Sequence, residues 1–427
     1  MGVDPLLFAR SLKYYKRPEV QAAIARHGLN REVTVRYGPD SFGKRPDVIA
    51  YPGDVLAFAK KKVTSFHCSE ERWRDPLAIV TGMRREDLDN IRIGWDLVLD
   101  IDCPYWEYAK LTTHLFVKAL QDHGITSISV KFSGNKGFHI GVPFEAFPSE
   151  YDNKETKDLF PEAPRAIAQY LLDYIETHYI SVRENTISFV DIKKISFKEL
   201  QEQINEDLLI MTCPDCKKPR KEKHKMIKYQ FVCASCNYQD KGDEQYKKCS
   251  QCGSIMEQFV ARVAGCPECK STQPAVQKFN VQALIEVDTI LLASRHLYRT
   301  AYSLHEKSNL VSVPLAPEHV LDFDRKMAEQ DVVDYSKFFL DPTTVPRGEG
   351  ADLMAKALIF QTLLDQSAFE ERKQYKAPDE AIGDEFFPPC IKRMLQGLED
   401  GKKRALFIFT NFFRSCGWTP EMIKDRI

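Results

Sequence analysis

Eight cysteines fall between Cys213 and Cys269 as four Cys-x-x-Cys pairs, and no other feature restricts so sharply what this chain can fold into. Each pair has the spacing of a metal knuckle, in which two thiolates from one tight turn face one ion. Cys213/Cys216 and Cys233/Cys236 are separated by 16 residues, and Cys249/Cys252 and Cys266/Cys269 by 13, spacings typical of four-cysteine zinc ribbons. Sequential pairing is the preferred arrangement, although Cys233/Cys236 with Cys249/Cys252 also fits. The other four of the 12 cysteines, Cys68, Cys103, Cys390 and Cys416, are scattered, so a reducing compartment and two structural zinc ions are expected rather than a disulfide scaffold. Residues 206–275 are rich in Cys, Lys and Gly with little helical periodicity, and they read as an inserted double zinc-ribbon region.

The regular chain on either side must then form one core split by that insertion. With 427 residues, 43% of them hydrophobic, two or three domains and a substantial core are possible. The division expected is 1–205 and 276–345 for the two parts of the core, 346–378 for a linker and helix, and 379–427 for a helical C-terminal segment. Residues 5–30 read as helical and Arg31–Tyr37 as a strand. Trp95–Asp102 alternates as a strand, Thr112–His123 as a helix, and Ser127–Ser133 and Phe138–Phe144 as two further strands. A helix over Arg165–His178, a strand near Ser188–Val190, regular structure from Val281 running as a helix to Arg299, a loop-rich Leu315–Gly350 and a helix over Asp352–Gln374 complete an α+β pattern.

Neither a secretory signal in Met1–Lys13 nor a run of about 18 apolar residues occurs, so no membrane partner is expected and a cytoplasmic, nucleoid-associated location is. The formal net charge of -1 conceals local clusters. Lys217, Lys218, Arg220, Lys221, Lys223, Lys225 and Lys228, followed by Tyr229 and Phe231, place basic charge beside aromatics in the first ribbon, a composition suited to a nucleic-acid backbone and equally to a solvated loop.

Three segments carry chemistry. In Leu97-Val98-Leu99-Asp100-Ile101-Asp102, strand periodicity puts Val98, Asp100 and Asp102 on one face, so two carboxylates become neighbours. Such a pair suits a hard divalent cation, with a third carboxylate allowing two ions side by side. An Asp-x-Asp is also an ordinary solvated strand face, but the apolar run before it argues for more. Gly134-Asn135-Lys136-Gly137 joins two strands, and as a hairpin it would gather Ser133, Lys136 and His139 beside exposed backbone N–H groups as a phosphate cradle, though the same four residues make an ordinary turn. Asp288 precedes a stretch in which Arg295 and Arg299 would share a helix face, followed by Ser303-Leu304-His305-Glu306-Lys307.

Together these segments resemble the catalytic small subunit of the archaeo-eukaryotic DNA primases. The residues that carry the resemblance are Leu97 to Asp102, Ser133-Gly134-Asn135-Lys136-Gly137-Phe138-His139, Val287-Asp288, Leu297-Tyr298-Arg299 and Ser303 to Lys307, in the family's order. It spans roughly residues 8–315 and implies the archaeo-eukaryotic primase fold, mixed sheets flanked by helices. It further implies that Asp100, Asp102 and Asp288 bind two catalytic Mg2+ or Mn2+ ions. Ser133, Gly134, Lys136, His139, Arg299 and His305 would hold a nucleoside triphosphate, with single-stranded DNA as template. A primase large subunit or a replicative helicase or polymerase would be the protein partner. The family turn often carries arginine where this chain has Asn135 and Lys136, and lysine keeps the charge but loses bidentate phosphate geometry.

Phe387-Pro388-Pro389-Cys390-Ile391-Lys392, Gly397-Leu398, Gly401, Arg404 and Phe412-Phe413-Arg414-Ser415-Cys416-Gly417-Trp418 resemble the start of the primase large subunit's C-terminal domain. That domain holds an iron–sulfur cluster on four cysteines; here only Cys390 stands at a ligand-like place, so no cluster is expected. A plain helical cap with Phe407, Phe409, Phe412 and Phe413 as its core is the other reading of this segment. For the whole chain, the expected function is primer synthesis. A primase-polymerase acting in extension or repair, and a non-catalytic zinc-ribbon DNA-binding protein, are the alternatives.

Overall fold

Two small antiparallel sheets carry the middle of the chain. In the first, the acidic strand Leu97–Ile101 pairs with Phe138–Val142, which pairs with Ser129–Phe132, which pairs with Pro314–Leu315. In the second, Ser65–Ser69 lies between Val33–Arg36 and Leu297–Arg299. Apolar alternation makes both sheets feed one core, where Leu97, Leu99, Ile101, Phe132, Phe138 and Ile140 join Val33, Phe66 and Cys68. The helix Trp106–Asp122 adds Leu115, Phe116 and Leu120 to it. Each such side chain, fully buried, contributes about 1.5–3 kcal/mol against exposure.

These relations come from a computed structural model that describes residues 5–38, 41–103, 105–183, 186–189, 192–196, 209–214, 225–242, 246–264, 266, 269, 271, 273, 275–279, 294–371, 378, 381–397 and 402–426. Two compact units are present, Met1–Leu358 and Ile359–Ile427. No helix among the described residues is long and apolar enough to cross a membrane.

Local chemistry divides several segments that periodicity reads as continuous. Residues 5–30 form two helices, Pro5–Tyr15 and Pro18–His27, because Pro18 has no N–H to continue the first and is preset to open the second. Trp95–Asp102 is not one strand either. Arg92–Trp95 pairs with Glu71–Trp73, and the acidic strand begins afresh at Leu97. Between them Asp96, fully buried, is held by Arg31 and Arg72 and accepts the Phe144 N–H at 2.9 Å. Arg295 and Arg299 do not share a helix face: Arg295 sits at φ +62° and Leu297–Arg299 is a strand. Residues 281–293 of that expected regular stretch, Asp288 included, lie outside the described residues.

Within the insertion Leu209–Thr212 pairs with Val276–Phe279, so the chain enters and leaves along one antiparallel ladder. Between them Lys225–Val232 is the centre of a three-stranded sheet, with Gln239–Gly242 on one side and Glu257–Ala264 on the other. The second unit gathers Phe387, Ile391, Phe409, Phe413, Cys416 and Ile423 from the helices Pro389–Leu395, Lys402–Ser415 and Pro420–Arg426 and their flanks. Phe407, expected in this core, is 71% exposed, since it lies off the face that Phe409 and Phe413 share.

Candidate functional site

A cleft of about 470 Å³ opens between the two sheets, lined by Asp100, Asp102, Ser133, Asn135, Lys136 and His139 on one side and by His67, His296, Tyr298, Arg299, His305 and Lys307 on the other. Every candidate metal or nucleotide residue read from the sequence and described here, apart from the cysteines and Gly134, lines it, and Gly134 forms its turn. Asp288, the third carboxylate, lies outside the described residues.

The sheet register explains the first wall. Asp100, His139 and Lys131 are cross-strand partners, so their side chains form one row across the sheet. His139 Nε2 stands 3.4 Å from Asp100 Oδ1. Burial, with Lys131 and Arg299 nearby, holds the His139 imidazole well below its usual range, so it meets the carboxylate as a neutral ring. Its buried Nδ1 has no partner in the protein. Lys131 is wholly buried and donates to Ser312 Oγ at 2.9 Å, and burial lowers its ammonium to about 7. Asp102 follows the acidic strand and is exposed.

Glycine makes the turn possible at two points. Gly134 has φ +99°, and a Cβ there would stand 2.8 Å from His305 Cβ. At Gly137 a Cβ would stand 1.8 Å from the carbonyl oxygen of Ile101. The bare backbone lets the turn slide under the end of the acidic strand and lets the His305 loop rest on it, where Ser308 Oγ donates to the Gly134 carbonyl.

On the opposite wall Arg299 is committed in part. Its Nη2 is 2.8 Å from Glu306 Oε2, and its Nη1 donates to the Leu304 carbonyl at 2.9 Å, while Arg36 holds the other oxygen of Glu306 at 2.7 Å. A guanidinium has five N–H donors, so this pairing orients Arg299 without exhausting it. His305 Nδ1 accepts the backbone N–H groups of Lys307 at 3.2 Å and Ser308 at 3.4 Å, which puts the ring proton on Nε2. Burial and the Arg299 charge bring His305 down to about 4, so the ring is neutral at pH 7.

Sequence reasoning passed over two members of this wall. His67 lies on the strand Ser65–Ser69 with Nε2 3.3 Å from Ser65 Oγ, and burial, Arg299 and Arg36 hold it well below its usual range. His296 directly precedes the motif Leu297-Tyr298-Arg299, and its Nδ1 is 3.1 Å from Glu70 Oε1. Adjacency to that motif was the available signal for His296; for His67 the sequence offered none.

The cysteines form two clusters, and they are nested rather than sequential. Cys233, Cys236, Cys249 and Cys252 bring four Sγ atoms within 4.8 Å of one another, and Cys213, Cys266 and Cys269 bring three. Cys216 lies outside the described residues. Sγ separations of 3.3 Å for Cys233/Cys252 and 3.5 Å for Cys236/Cys249 and Cys213/Cys269 exceed a disulfide bond and approach the ~3.8 Å edge of a tetrahedral zinc–thiolate site. Sequential pairing fails because the second and third knuckles are joined by the two sides of the small sheet, Val232 pairing with both Gln239 and Glu257. Phe231 is wholly buried against Cys233, Cys249 and Met256, so it is core of this ribbon and no stacking platform for a base. Residues 215–224, with most of the basic loop, lie outside the described residues.

No family model matches the chain. It is 30% identical over 125 residues to an uncharacterized protein of Methanocaldococcus jannaschii, over 27% of this chain and 26% of that one. The chain thus spans about a quarter of the length of this curated relative. Among solved structures, the polymerase domain of Mycobacterium tuberculosis ligase D in complex with DNA aligns over 84% of this chain and 91% of that chain, with a TM-score of 0.36 and 11% identity.

Proposed function

We propose that this chain is a nucleotidyltransferase of the archaeo-eukaryotic primase type, which makes short primers on a single-stranded DNA template from nucleoside triphosphates. The observation that carries the reading is one cleft in which two neighbouring carboxylates, a glycine turn with Ser133 and Lys136, and the Arg299–His305 loop converge from two sheets.

The donor set fits hard divalent cations: Asp100 and Asp102 present carboxylate oxygens to the cleft, with Asp288 as the third ligand by resemblance. Two Mg2+ or Mn2+ ions would lower the pKa of the attacking hydroxyl and neutralise charge on the leaving pyrophosphate. The chain's own groups bind and orient the triphosphate. Lys136 and Lys307 bring positive charge to the cleft from two loops. His305 donates its Nε2 proton to a phosphate oxygen, and Arg299, aimed by Glu306, adds a charge-assisted donor. His139, held neutral, contributes a hydrogen bond instead of a second charge beside Asp100. The 3'-hydroxyl gives up its proton to solvent water and its oxygen bonds to the α-phosphorus, the bond from that phosphorus to the β-phosphate bridge breaks, and pyrophosphate departs.

Zinc would be held by Cys233, Cys236, Cys249 and Cys252, and by Cys213, Cys266 and Cys269 with Cys216 as the fourth ligand by its Cys-x-x-Cys spacing alone; it would organise the insertion and do no chemistry in this scheme. The test is synthesis on single-stranded DNA with ribonucleotides or deoxynucleotides, in Mg2+ or Mn2+, with and without an annealed primer. Products without primer are expected. Products only from an annealed primer would move the reading to extension or repair, and DNA binding without any product would leave a zinc-ribbon binding protein.

A further inference from the structure

The small sheet of the insertion has one packed face and one bare one. On the packed side Phe231 and Met256 are buried against Cys233 and Cys249, and Lys247 pairs with Asp240 at 2.7 Å. Strand alternation sends every second residue to the other side. There Gln230 is the cross-strand partner of Phe259, Val232 is the partner of both Glu257 and Gln239, and the bridge between Lys248 and Ile255 continues the same side toward the cysteine knuckle. Large apolar side chains stand on it in water: Ile255 is 70% exposed, Phe259 is 52% exposed, and Tyr246, two residues before Lys248, is 73% exposed. Single exposed apolar residues need no explanation, but three on one face of a sheet whose other face is closed mark a contact surface.

The chemistry around these side chains selects the occupant. A purely apolar partner would call for a continuous apolar face, whereas Phe259 has the amide of Gln230 beside it, held by a hydrogen bond from Gln230 Nε2 to Gln239 Oε1 at 3.3 Å, and Ile255 has the exposed Lys248. Flat rings for bases, amides for base edges and an ammonium for a phosphate are what a single strand of nucleic acid requires. Charge agrees. Residues 209–279 hold 13 Lys and Arg against seven Asp and Glu, in a chain whose totals are 60 and 61. Two zinc ions on four thiolates each would subtract from that excess and still leave the insertion positive.

We propose that this face, with Tyr246 and Phe259 as stacking platforms and Lys248 as a phosphate contact, binds a single strand of nucleic acid without preference for sequence. That the strand is the template is the one part that rests on the nucleotidyltransferase reading.

The test measures binding of the intact chain to a fluorescent thymidine oligonucleotide by anisotropy, with no nucleotide or Mg2+ added. Beside it stand three double variants, Tyr246→Ala with Phe259→Ala, Tyr246→Leu with Phe259→Leu, and Tyr246→Trp with Phe259→Trp, each checked for unchanged zinc content and thermal unfolding. The alanine pair should weaken binding about 10- to 100-fold, and the leucine pair, apolar but without a π-face, should weaken it nearly as much. The tryptophan pair should bind at least as tightly as the intact chain. Lys248→Ala should flatten the slope of log affinity against log salt by about 0.7. No binding by the intact chain, or binding by the alanine pair within about twofold of it, would overturn the proposal. Full binding by the leucine pair would also overturn it and give the face to an apolar partner. If the alanine pair loses zinc, the leucine and tryptophan pairs decide between the same outcomes. An intact chain that binds the oligonucleotide through this face yet makes no product with template and nucleotides leaves the proposal standing and defeats the nucleotidyltransferase reading.

Discussion

Asp96 and Asp100 stand four residues apart on one run of chain, and their neighbours give them opposite work. Asp96 is wholly buried between Arg31 and Arg72; burial alone would push its carboxyl up, but the two guanidiniums outweigh burial and bring it from 3.8 down to about 2. Replacing it by asparagine leaves Arg31, itself buried, without a compensating charge, so Asp96→Asn should cost about 3–5 kcal/mol in denaturant unfolding at pH 7. Because the folded-state value is the lower one, this stabilisation is complete above the ordinary 3.8 and is lost as pH falls toward 2. The stability gap between the two proteins should therefore be flat from pH 7 to about 4 and close below it. Asp100 and Asp102 face the cleft instead, and among the described residues no ion pair is made by Asp102, which is exposed. Asp100→Asn and Asp102→Asn should each shift stability by no more than about 1 kcal/mol while lowering nucleotidyl transfer by more than ~100-fold, since loss of a direct ligand costs more than loss of an outer-shell partner. Near-normal transfer in the double variant would remove Asp100 and Asp102 from the chemistry.

The hairpin shows how an element can fix a site through what it lacks. Gly137 owes its identity to the Ile101 carbonyl 1.8 Å from any Cβ, so Gly137→Ala must drive the hairpin away from the acidic strand. A loss of about 1–3 kcal/mol is expected, with a fall in activity that Gly53→Ala, in open space, does not share. Comparable unfolding midpoints for the two variants would show that this contact is not a constraint. Elements of this kind were legible in the sequence: alternation over Leu97–Ile101 and around the turn foretold strands whose register now aligns Asp100 with His139. What escaped was whatever depends on residues distant in sequence. The helical pattern up to Arg299 gives way to a left-handed Arg295 and a strand because Glu32, Glu71 and the edge of Ser65–Ser69 capture them, and no local window contains those partners. His67 was missed for the same reason, as it becomes a cleft residue only when the two sheets meet, and His296 because the stretch that holds it reads locally as a helix.

At the scale of the whole molecule, separate parts invite separate removal. The unit Ile359–Ile427 has its own core around Phe387, Phe409 and Phe413, so deleting residues 380–427 should leave the unfolding of the first unit unchanged. If this segment assists initiation, the deletion should abolish primer-free synthesis and spare extension of an annealed primer; equal loss of both would refute that role. The insertion offers the sharper case, because nesting and sequential pairing of the cysteines make different counts. Two zinc ions per chain are expected by elemental analysis. Cys233 and Cys249 belong to one cluster in the nested arrangement, so the double variant Cys233→Ser with Cys249→Ser should retain one zinc ion. Sequential pairing would distribute those two cysteines over both sites and release both ions. Cys213→Ser with Cys249→Ser should release both ions, because it strikes the outer and inner clusters together. The outer cluster adjoins the ladder of Leu209–Thr212 and Val276–Phe279 by which the chain enters and leaves the insertion, whereas the inner one lies at the end of the insertion's own sheet. Loss of the inner ion should therefore leave the core's unfolding unchanged, and loss of the outer one should lower its midpoint; the reverse order would mean that the inner ribbon is what ties the insertion to the core.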